Sequence, residues 1–419
     1  MEIEFLGGAR EVGGNAVLIR TRSGTKILLD YGVRIENDQV IFPGHVAPKD
    51  LDAVVLTHAH LDHSGAIPMF FISSSPNSLA TEATYRQTEV LLRDMHKLNA
   101  DQLVFGEREI KKMIDRGKRV HYHEPVRVKD VEIELLDAGH IPGSAQVVIN
   151  AERTLLYSGD FTTVRTKLLR GAEVPSGGFD AVVVESTYAR EDHRPREELE
   201  RSVLESVKET VESGGIALVP AFSVARSQEV AMILKARNFS YSVYMDGMAK
   251  DITQIYLESE EYVNGIKLLG QTVEWVRFVR GNRERERLLE RPSVVITPAG
   301  MLKGGPAVYY AKSIASDPRS SITLVSFQVP GSAGAKLLED GVLYFDNGPL
   351  KFNGRVSQFK LSAHAGRQEL HDYLRRVAEG SKTFTIHGEP ESCEELASWV
   401  TSEVGAEGIN PVKGQRYEI

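Results

Sequence analysis

The feature that most restricts the fold of this chain is an apolar run leading directly into a cluster of metal-binding side chains. The run Ala-Val-Val-Leu predicts a buried strand, and residues 57–63 that follow it read THAHLDH. The metal-binding residues of this cluster are His58, His60, Asp62 and His63. Side chains two apart on an extended segment share a face, so the first two histidines can bind one ion while the last two residues, beyond a turn, reach a second. Imidazole and carboxylate without thiolate are typical of an open, catalytic zinc site.

A histidine-rich surface loop that binds no metal is the alternative for this segment. Three further residues that could bind metal each follow an apolar run: His140 in DAGHIPGSAQ, Asp160 in LLYSGDF and His387 in FTIHGEP. Each of them alone is more readily explained as a turn or capping residue. Together with residues 57–63 they supply enough ligands for two ions, and this joint occurrence favours a metal centre.

The composition is that of an ordinary globular protein with room for two domains. The chain has 419 residues, of which 42% are hydrophobic and 26% charged. No apolar run reaches the length of a membrane span, and the start MEIEFLGGAR lacks the apolar core of a signal peptide, so neither membrane integration nor export is expected. Cys393 is the only cysteine, which excludes a cysteine-ligated cluster within one chain and predicts a reducing, cytoplasmic location.

Charge leaves the class of binding partner open. The formal net charge of -8 gives no global attraction to nucleic acid, but a local groove can still bind a polyanion. One segment combines arginines with glutamates, and a solvated helix face with ion pairs is the favoured interpretation over a nucleic-acid-binding strip. Its arginines are Arg277, Arg280, Arg283, Arg285, Arg287 and Arg291.

Apolar runs and turns alternate in the first part of the chain, which predicts the strands of a sheet. These runs are IEFL, AVLI, KILLD, AVVLT, VEIELLDAGH, QVVINA, TLLYSGDF and AVVVEST, with helices near Thr81–Lys97 and Glu107–Arg116. From about Arg190, the apolar runs IALVPAF, SVYMDG and SVVITPAGM alternate with helical patterns, which predicts a second α/β unit of parallel strands. The later helices are expected at Arg196–Glu212, in ARSQEVAMILKA, from Arg367 and from Pro390, with a strand at TFTIHGE.

The glycine-rich stretch LGGAREVGGNAVLI, which begins at Leu6, could suggest a nucleotide-binding loop. The residues after Gly14 read AVLIR, which predicts a strand where a pyrophosphate site needs a helix N-terminus. We therefore interpret Gly7, Gly8, Gly13 and Gly14 as a tight turn beside the active site.

THAHLDH, His140 and Asp160, spaced in this way, resemble the metallo-β-lactamase superfamily. Asp30 in KILLDYG matches the first motif of that superfamily, an acid that orients the histidine cluster, although a plain turn residue is the alternative. The resemblance implies an αββα sandwich with two zinc ions and a shared hydroxide. It assigns His58, His60 and His140 to one zinc, Asp62, His63 and His387 to the other, and Asp160 as a bridge between them.

The long segment between Asp160 and the last histidines resembles the β-CASP domain, an α/β insertion that marks a branch acting on nucleic acids. Glu185 in VVVESTY matches its acidic motif A, His364 in FKLSAHAG matches motif B, and His387 matches motif C. In that branch a histidine at motif C goes with RNA substrates and an aliphatic residue with DNA. The expected domains are residues 1–188, the inserted residues 189–360, and residues 361–419.

Four longer runs are similar to the cleavage-and-polyadenylation-factor nucleases, particularly their short archaeal relatives, with RNase J as a near cousin. These runs are YSGDFTTVRTKLL, PAFSVARSQE, TPAGMLKGGPAVYY and FKLSAHAGRQEL. We expect a chain that starts directly in the catalytic domain, without KH modules or the C-terminal extension of RNase J. The resemblance implies a zinc-dependent ribonuclease acting on single-stranded RNA in 3′-end processing or 5′-to-3′ decay, as a homodimer or within an RNA-processing complex.

The mechanism implied by this resemblance is hydrolysis by a zinc-activated hydroxide that leaves a 5′-phosphate and a 3′-hydroxyl. His364 is the candidate proton donor to the departing oxygen, and Glu185 would fix its tautomer, with Asp62 and Asp30 completing the catalytic group. A purely structural Glu185–His364 pair is the alternative.

Phosphate contacts are less explicit in the sequence. The turn VPGSAGAK offers Ser332 with backbone amides near Gly331 and Gly334, although a plain strand-to-helix turn explains it equally well. Arg226 and Lys303 are further candidates for contact with phosphates.

Three other functions remain open at this point. They are a small-molecule hydrolase of the same superfamily, a non-catalytic scaffold subunit of an RNA-processing complex, and a DNA nuclease. The motifs do not separate endonuclease from exonuclease, and a 5′-to-3′ exonuclease is the preferred alternative of the two.

Overall fold

A computed structural model describes residues 1–36, 39–345 and 348–419. Within them the chain forms two compact units. Unit 1 consists of Met1–Arg165, Arg170–Asp192 and Ala363–Ile419, and unit 2 of Thr166–Leu169 and His193–Ser362. The domain boundaries expected at 188/189 and 360/361 stay a prediction, supported by the nearby divisions at 192/193 and 362/363.

The strands of the described residues are numbered in chain order. They are β1 (Glu2–Gly7), β2 (Ala16–Arg20), β3 (Lys26–Leu29), β4 (Arg34–Glu36), β5 (Gln39–Ile41), β6 (Ala53–Val55), β7 (Asn77–Ala80), β8 (Lys118–Arg119), β9 (Val126–Val128), β10 (Val131–Asp137), β11 (Ala145–Asn150), β12 (Thr154–Tyr157), β13 (Ala181–Glu185), β14 (Ile216–Pro220), β15 (Val243–Met245), β16 (Arg277–Phe278), β17 (Ser293–Thr297), β18 (Ser321–Leu324), β19 (Val342–Phe345), β20 (Gly348–Lys351), β21 (Arg355–Gln358), β22 (Lys382–Ile386), β23 (Glu407–Ile409) and β24 (Arg416–Glu418).

The α-helices are numbered in the same way, and short 3₁₀ segments occur at Pro48–Asp50, Ile67–Met69 and Glu260–Tyr262. The α-helices are α1 (Leu61–Ser64), α2 (Phe70–Ser73), α3 (Glu82–Asn99), α4 (Glu107–Arg116), α5 (Arg196–Glu212), α6 (Arg226–Ala236), α7 (Ala249–Leu257), α8 (Ile266–Trp275), α9 (Asn282–Leu288), α10 (Gly305–Ile314), α11 (Ala333–Asp340), α12 (Arg367–Val377) and α13 (Pro390–Glu403).

Unit 1 is an αββα sandwich, as the resemblance implied. Its two sheets each have seven strands, in the orders β24-β1-β2-β3-β6-β7-β8 and β23-β22-β13-β12-β11-β10-β9. Ile3 and Val17 from the first sheet meet Ile133 and Val147 from the second in one buried core. The outer face of the first sheet is covered by α2, α3 and α4, and that of the second by α12 and α13.

Local sequence patterns explain how these layers form. Strand β10 reads VEIELLD and buries alternate residues, so that Val131, Ile133 and Leu135 face the core while Glu132 is exposed. Helix α4 instead buries its apolar residues at helical spacing, and its first turn begins with Glu107, whose charge favours the helix N-terminus. Helix α4 ends at Arg116 as predicted, whereas β10 ends at Asp137, before the end of the predicted run VEIELLDAGH.

Unit 2 contains a six-stranded parallel sheet in the order β16-β15-β17-β14-β18-β21. Its central strands IALVP and SVVIT are buried at every residue, as expected for a sheet covered by helices on both faces. Helices α5, α6 and α7 cover one face, and α9, α10 and α11 the other. The second α/β unit of parallel strands predicted from the sequence is therefore confirmed.

Within each sheet of unit 1, the strands that lead to the predicted site residues run in the same direction. Strand β3 is parallel to β6, β12 is parallel to β13, and β13 is parallel to β22. Because parallel strands point the same way, the residues after their carboxyl ends can meet. Among the described helices, none is both long enough and apolar enough to cross a membrane.

Candidate metal centre

Strand ends position the predicted metal-binding residues, all of which belong to unit 1. Asp30 follows β3, His140 comes shortly after β10, Asp160 follows β12 and His387 follows β22. The THAHLDH segment leaves β6 and enters α1, for which His60 is the N-cap. His58 and His60 lie in the turn between the strand and this short helix, and Asp62 and His63 lie in the helix itself.

Three histidines and one aspartate form the first group. The Nδ1 atom of His60 lies 3.1 Å from Nε2 of His58 and 3.1 Å from Nε2 of His140. The Oδ2 atom of Asp160 lies 3.6 Å from Nε2 of His58 and 3.8 Å from Nε2 of His140. These four side chains could hold one metal ion, because one ligand atom from each lies within 4.8 Å of those of the others.

Asp160 also belongs to the second group, together with Asp62, His63 and His387. Its Oδ2 atom lies 3.3 Å from Nε2 of His63, and its Oδ1 atom lies 3.3 Å from Nε2 of His387. The Oδ2 atom of Asp62 lies 3.3 Å from the same nitrogen of His387 and 4.0 Å from Nε2 of His63. Asp160 is therefore the side chain that the two groups share.

The spacing and chemistry of these atoms fit bound metal ions. Ligand atoms that surround a tetrahedral zinc at about 2.0–2.1 Å are themselves about 3.3–3.4 Å apart, close to the separations found in both groups. Within the described residues, Oδ1 of Asp160 and both ring nitrogens of His387 are buried without a hydrogen-bond partner. Buried polar atoms are rarely left unsatisfied, and an ion would satisfy Oδ1 of Asp160 and Nε2 of His387, the ring nitrogen that faces this group.

Asp30 orients His63 through a saturated set of hydrogen bonds. Its carboxylate accepts hydrogen bonds from the Thr57 amide at 2.8 Å, the Thr57 hydroxyl at 2.9 Å and the Tyr157 hydroxyl at 3.0 Å. The Nδ1 atom of His63 lies 2.7 Å from Oδ2 of Asp30. With its proton on Nδ1, His63 presents Nε2 as the lone pair that a metal ion needs.

Two other histidines are oriented in the same way. The Nδ1 atom of His140 lies 2.8 Å from the backbone oxygen of Ala363, which requires a proton on that nitrogen. The Nδ1 atom of His58 lies 3.1 Å from the hydroxyl of Thr57. Each ring therefore turns Nε2 toward the centre, and the proton-bearing nitrogen is directed away from it.

Burial keeps the rings of the first group neutral. Burial and the neighbouring rings lower the pKa of His58 and of His140 well below the usual value, and burial lowers the pKa of His60 to about 4. Burial opposes ionisation of Asp160, but His63 and His387 outweigh it and hold the pKa of that carboxyl well below its usual range. Neutral imidazoles beside an ionised carboxylate are the protonation states that bind a cation.

Glu185 and His364 form a hydrogen-bonded pair beside this centre. The Nδ1 atom of His364 lies 2.9 Å from Oε2 of Glu185. Burial lowers the tendency of His364 to be charged, but Glu185 and Asp160 outweigh it and raise the pKa of His364 to about 9. Glu185 also accepts hydrogen bonds from the Phe161 amide at 2.9 Å and the Thr187 hydroxyl at 2.6 Å.

Two residues of the centre hold a left-handed backbone. Asp30 has a φ of 56° and His387 a φ of 52°, a region that non-glycine residues enter only at a cost. Close approach by glycine accompanies this geometry, because a Cβ atom on Gly32 would lie 1.8 Å from the backbone oxygen of Asp62. The residues of the centre are thus brought together at the cost of local backbone strain.

The residues predicted to contact phosphate all lie in unit 2. Ser332 is the N-cap of α11 and accepts a hydrogen bond from the Ala335 amide, while Gly331 has a φ of 79°. The Gly334 amide donates to the Met301 backbone oxygen at 3.1 Å. This amide therefore already has an acceptor within the protein. The two basic candidates differ in burial: Arg226 is 8% exposed, whereas Lys303 is exposed.

The structure adds polar residues around the centre that the sequence analysis did not single out. The Nδ2 atom of Asn15, which is fully buried, lies 3.0 Å from Nε2 of His63, and Tyr157 and Thr57 hold Asp30. Thr187 contacts Glu185. Asn15 comes directly after the glycine pair that we interpreted as a turn beside the site, and that position was the available signal. Tyr157 reads as an ordinary core residue and gave no such signal.

Comparison with known families gives an independent view of the same chain. Three family profiles match it: the metallo-beta-lactamase superfamily at residues 9–209, the Beta-Casp domain at 227–337 and the Zn-dependent metallo-hydrolase RNA specificity domain at 349–411. RNase aCSPSF2 of Saccharolobus solfataricus is 38% identical over 421 residues, covering all of this chain and 85% of that protein. This chain belongs to the β-CASP branch of the metallo-β-lactamase superfamily. Probable RNase MJ4 of Methanocaldococcus jannaschii is 34% identical and matches over the whole of both chains.

The β-CASP membership confirms the family resemblance and the fold class inferred from the sequence motifs, and it implies bound metal ions. A crystal structure of a protein of unknown function from Enterococcus faecalis V583 aligns over 99% of both chains with a TM-score of 0.65. Its sequence is only 13% identical, so this likeness concerns the fold alone.

Proposed function

We propose that this β-CASP protein is a ribonuclease that uses two zinc ions to hydrolyse phosphodiester bonds in single-stranded RNA. The observation that carries the proposal is the convergence, in unit 1, of two ligand groups that share Asp160, beside the Glu185–His364 pair. RNase aCSPSF2 and Probable RNase MJ4, which match the chain over its full length, support the same substrate class by their names.

The residues divide into ligands and groups that act on the substrate. His58, His60 and His140 would hold one ion, and Asp62, His63 and His387 the other, with Asp160 bridging and Asp30 orienting the cluster. When bound, the ions would activate a water molecule and neutralise charge on the phosphate. Imidazole and carboxylate ligands without thiolate suit zinc in such a catalytic role.

His364 would protonate the departing 3′ oxygen. Its Nδ1 atom is directed at Glu185, so Nε2 is the nitrogen that would give a proton to a substrate atom. With a pKa of about 9, His364 carries that proton at neutral pH. The products would then be a 5′-phosphate and a 3′-hydroxyl.

RNA is proposed over DNA because His387 occupies the motif C position, where this branch carries histidine for RNA. The phosphate contacts proposed from the sequence, at the Ser332 turn and at Arg226 and Lys303, stay a proposal for unit 2. A thioester or another small acyl substrate would not require an inserted α/β unit of this kind.

Digestion of a single-stranded RNA labelled separately at each end tests the proposal. We expect 5′-phosphorylated products and, for a 5′-to-3′ exonuclease, mononucleotides released from the 5′-labelled end of a 5′-monophosphate substrate. Internal fragments from both labels would establish an endonuclease instead. Equal cleavage of a DNA of the same sequence would refute the RNA assignment, and no cleavage with zinc bound would refute the ribonuclease assignment.

A further inference from the structure

Exposed arginines line one edge of the parallel sheet in unit 2. Strand β16 is the outermost strand at that edge, and α9 follows it after a short turn. The sequence analysis favoured a solvated helix face with ion pairs for this segment. We call its exposed cationic residues the edge arginines, and they are Arg277, Arg280, Arg283, Arg287 and Arg291.

The edge arginines are exposed and interleaved with glutamates. In the part of the chain that the structure describes, none of them forms an ion pair, although glutamates alternate with them along α9. Glu284, which could have paired with one of them, accepts a hydrogen bond from the backbone amide of Arg280 at 2.6 Å. Arg277 lies over the ring of Tyr244 at 5.8 Å from its centroid, which leaves its charge intact.

Helix α9 is held in one orientation by Arg285, the one arginine of this segment that is not an edge arginine. Arg285 makes a two-pronged ion pair with Asp246, with Nε 2.7 Å from Oδ2 and Nη2 3.0 Å from Oδ1. Asp246 is 2% exposed and also accepts a hydrogen bond from the Tyr310 hydroxyl at 2.8 Å. Leu288 is buried on the same side of the helix.

The anchored side of α9 determines which residues face outward. Arg283 and Arg287 are four residues apart and therefore lie on one face, opposite Arg285 and Leu288. At 1.5 Å per residue, their side chains are separated by about 6 Å along the helix axis. The helix thus presents two guanidinium groups side by side in solvent, on a chain whose net charge is -8.

This arrangement suits a polyanion with regularly spaced phosphates. A guanidinium group binds a phosphate through two parallel hydrogen bonds, and no existing ion pair has to be broken here. Arg280 comes after the carboxyl end of β16, and ligands of open parallel sheets bind outside the carboxyl ends of the strands. We propose that the edge arginines bind the sugar–phosphate backbone of single-stranded RNA, an inference that rests on the proposed ribonuclease function.

Salt-dependent binding of a cleavage-resistant RNA tests this proposal. The probe is a single-stranded 2′-O-methyl phosphorothioate RNA, titrated into the zinc-loaded protein at a series of potassium chloride concentrations. Each phosphate contact adds about 0.7 to the slope of log affinity against log salt concentration for single strands, so Arg283→Gln/Arg287→Gln should make the slope shallower by about 1.4.

A matched control separates a specific contact from a change in net charge. Arg201 and Lys208 are exposed on α5 of the same unit, so Arg201→Gln/Lys208→Gln changes the total charge by the same amount. We expect this variant to keep the slope of the wild-type protein. Equal loss in both variants, or an unchanged slope in the arginine variant, would overturn the proposal.

The result also distinguishes this proposal from the proposed function. If the wild-type protein binds and cleaves RNA while the Arg283→Gln/Arg287→Gln variant keeps the full slope, only the role of the edge arginines is refuted. If the wild-type protein neither binds nor cleaves RNA, both the ribonuclease function and the role of the edge arginines are refuted.

Discussion

Asp160 is the residue on which the metal centre depends most. Its two carboxylate oxygens contact different histidines, with Oδ2 near His63 and Oδ1 near His387. It also belongs to the group formed by His58, His60 and His140. Its carboxylate is 2% exposed, and a buried anion needs positive charge around it, which two ions would supply.

His364 is predicted to act on the substrate and not to bind metal. His364→Ala should lower kcat by about 10²–10⁴-fold, since a positioned acid contributes roughly that much, while the bound zinc stays near two per chain. Elemental analysis and steady-state cleavage measure the two quantities. His371→Ala removes a histidine of α12 that stacks on Trp399 of α13 and belongs to neither ligand group, and it should leave both quantities unchanged. Loss of zinc from the His364 variant would reassign the residue as a ligand.

Thr187 is predicted to position Glu185. Its hydroxyl lies 2.6 Å from Oε2 of Glu185 and 3.1 Å from the backbone oxygen of His387. Thr187→Val should lower kcat about fivefold with little change in KM, because one hydrogen bond of about 1 kcal/mol that holds the carboxylate is lost. Thr187→Ser keeps the hydroxyl and should restore kcat.

The control for Thr187 is a second threonine bonded to a carboxylate in unit 1. Thr154 is the first residue of β12, and Asp160 follows the other end of that strand. The Thr154 hydroxyl donates to the carboxylate of Asp180. Thr154→Val should reduce the free energy of unfolding without changing kcat. The positioning role of Thr187 is wrong if Thr154→Val lowers kcat as much as Thr187→Val does. It is also wrong if Thr187→Ser lowers kcat as much as Thr187→Val does.

Asp137 should make the stability of unit 1 depend on pH. Burial raises its pKa to about 6. Because the folded-state pKa lies above the unfolded value, the stabilisation is complete below about pH 4 and is lost as pH rises through about 6. Relative to wild type, Asp137→Asn should therefore gain roughly 1–2 kcal/mol between about pH 4 and pH 7. Urea unfolding of both proteins across this range measures the difference, and parallel curves would contradict it.

At the scale of elements, long amphipathic helices and buried strands could be predicted from the sequence. The bounds expected for α4 and α5 agree with the structure, because their apolar residues recur at helical spacing between clear polar ends. Strand β18 was not predicted, and its four residues SITL are too few to show a period. The two-residue strands β8 and β16 form only because a neighbouring strand supplies their hydrogen bonds.

The segment Thr166–Leu169 belongs to unit 2 although the residues on either side of it belong to unit 1. Glu229 in α6 holds this segment. Its carboxylate accepts hydrogen bonds from the Lys167 and Leu168 amides, both at 3.0 Å, and from the hydroxyl of Thr166 at 2.9 Å. It also pairs with Arg196 at 2.7 Å.

Removal of this carboxylate should be strongly destabilising. Glu229→Ala leaves the Lys167 amide without its acceptor, the Leu168 amide with only the Thr166 hydroxyl, and Arg196 with only its longer contact to Glu200, and should cost about 3 kcal/mol. Glu229→Gln keeps an acceptor and should cost less. Chemical denaturation of the two variants measures this order, and equal stability of Glu229→Ala and wild type would show that the segment is held by other contacts.

At the scale of the whole molecule, unit 1 gathers its ligands from two separate stretches of the chain. THAHLDH lies in the first stretch and His387 in the last, and the bulk of unit 2 is inserted between them. Metal binding therefore joins distant parts of the chain. It should stabilise unit 1 by mass action, since ions bind the folded ligand set far better than the unfolded chain.

Removal of the ions should lower the melting temperature of the protein. Dialysis against a chelator should reduce Tm and abolish cleavage, and added zinc should restore both. Asp62→Ala should bind about one ion and show a smaller chelator-induced fall in Tm, because one ligand group is incomplete. Differential scanning calorimetry with elemental analysis measures these changes, and a Tm unaffected by the chelator would contradict the two-ion centre.

The sequence by itself determined the types of ligand and their order along the chain. Local chemistry decides these, since THAHLDH must contain imidazole and carboxylate whatever it folds against, and runs such as AVVV must be buried. Only the tertiary structure decided which atoms meet. Tyr157 donates to Asp30 across 127 residues of sequence, and Asn15 lies beside His63 across 48. The pairing of sheets sets such contacts, and no local pattern encodes that pairing.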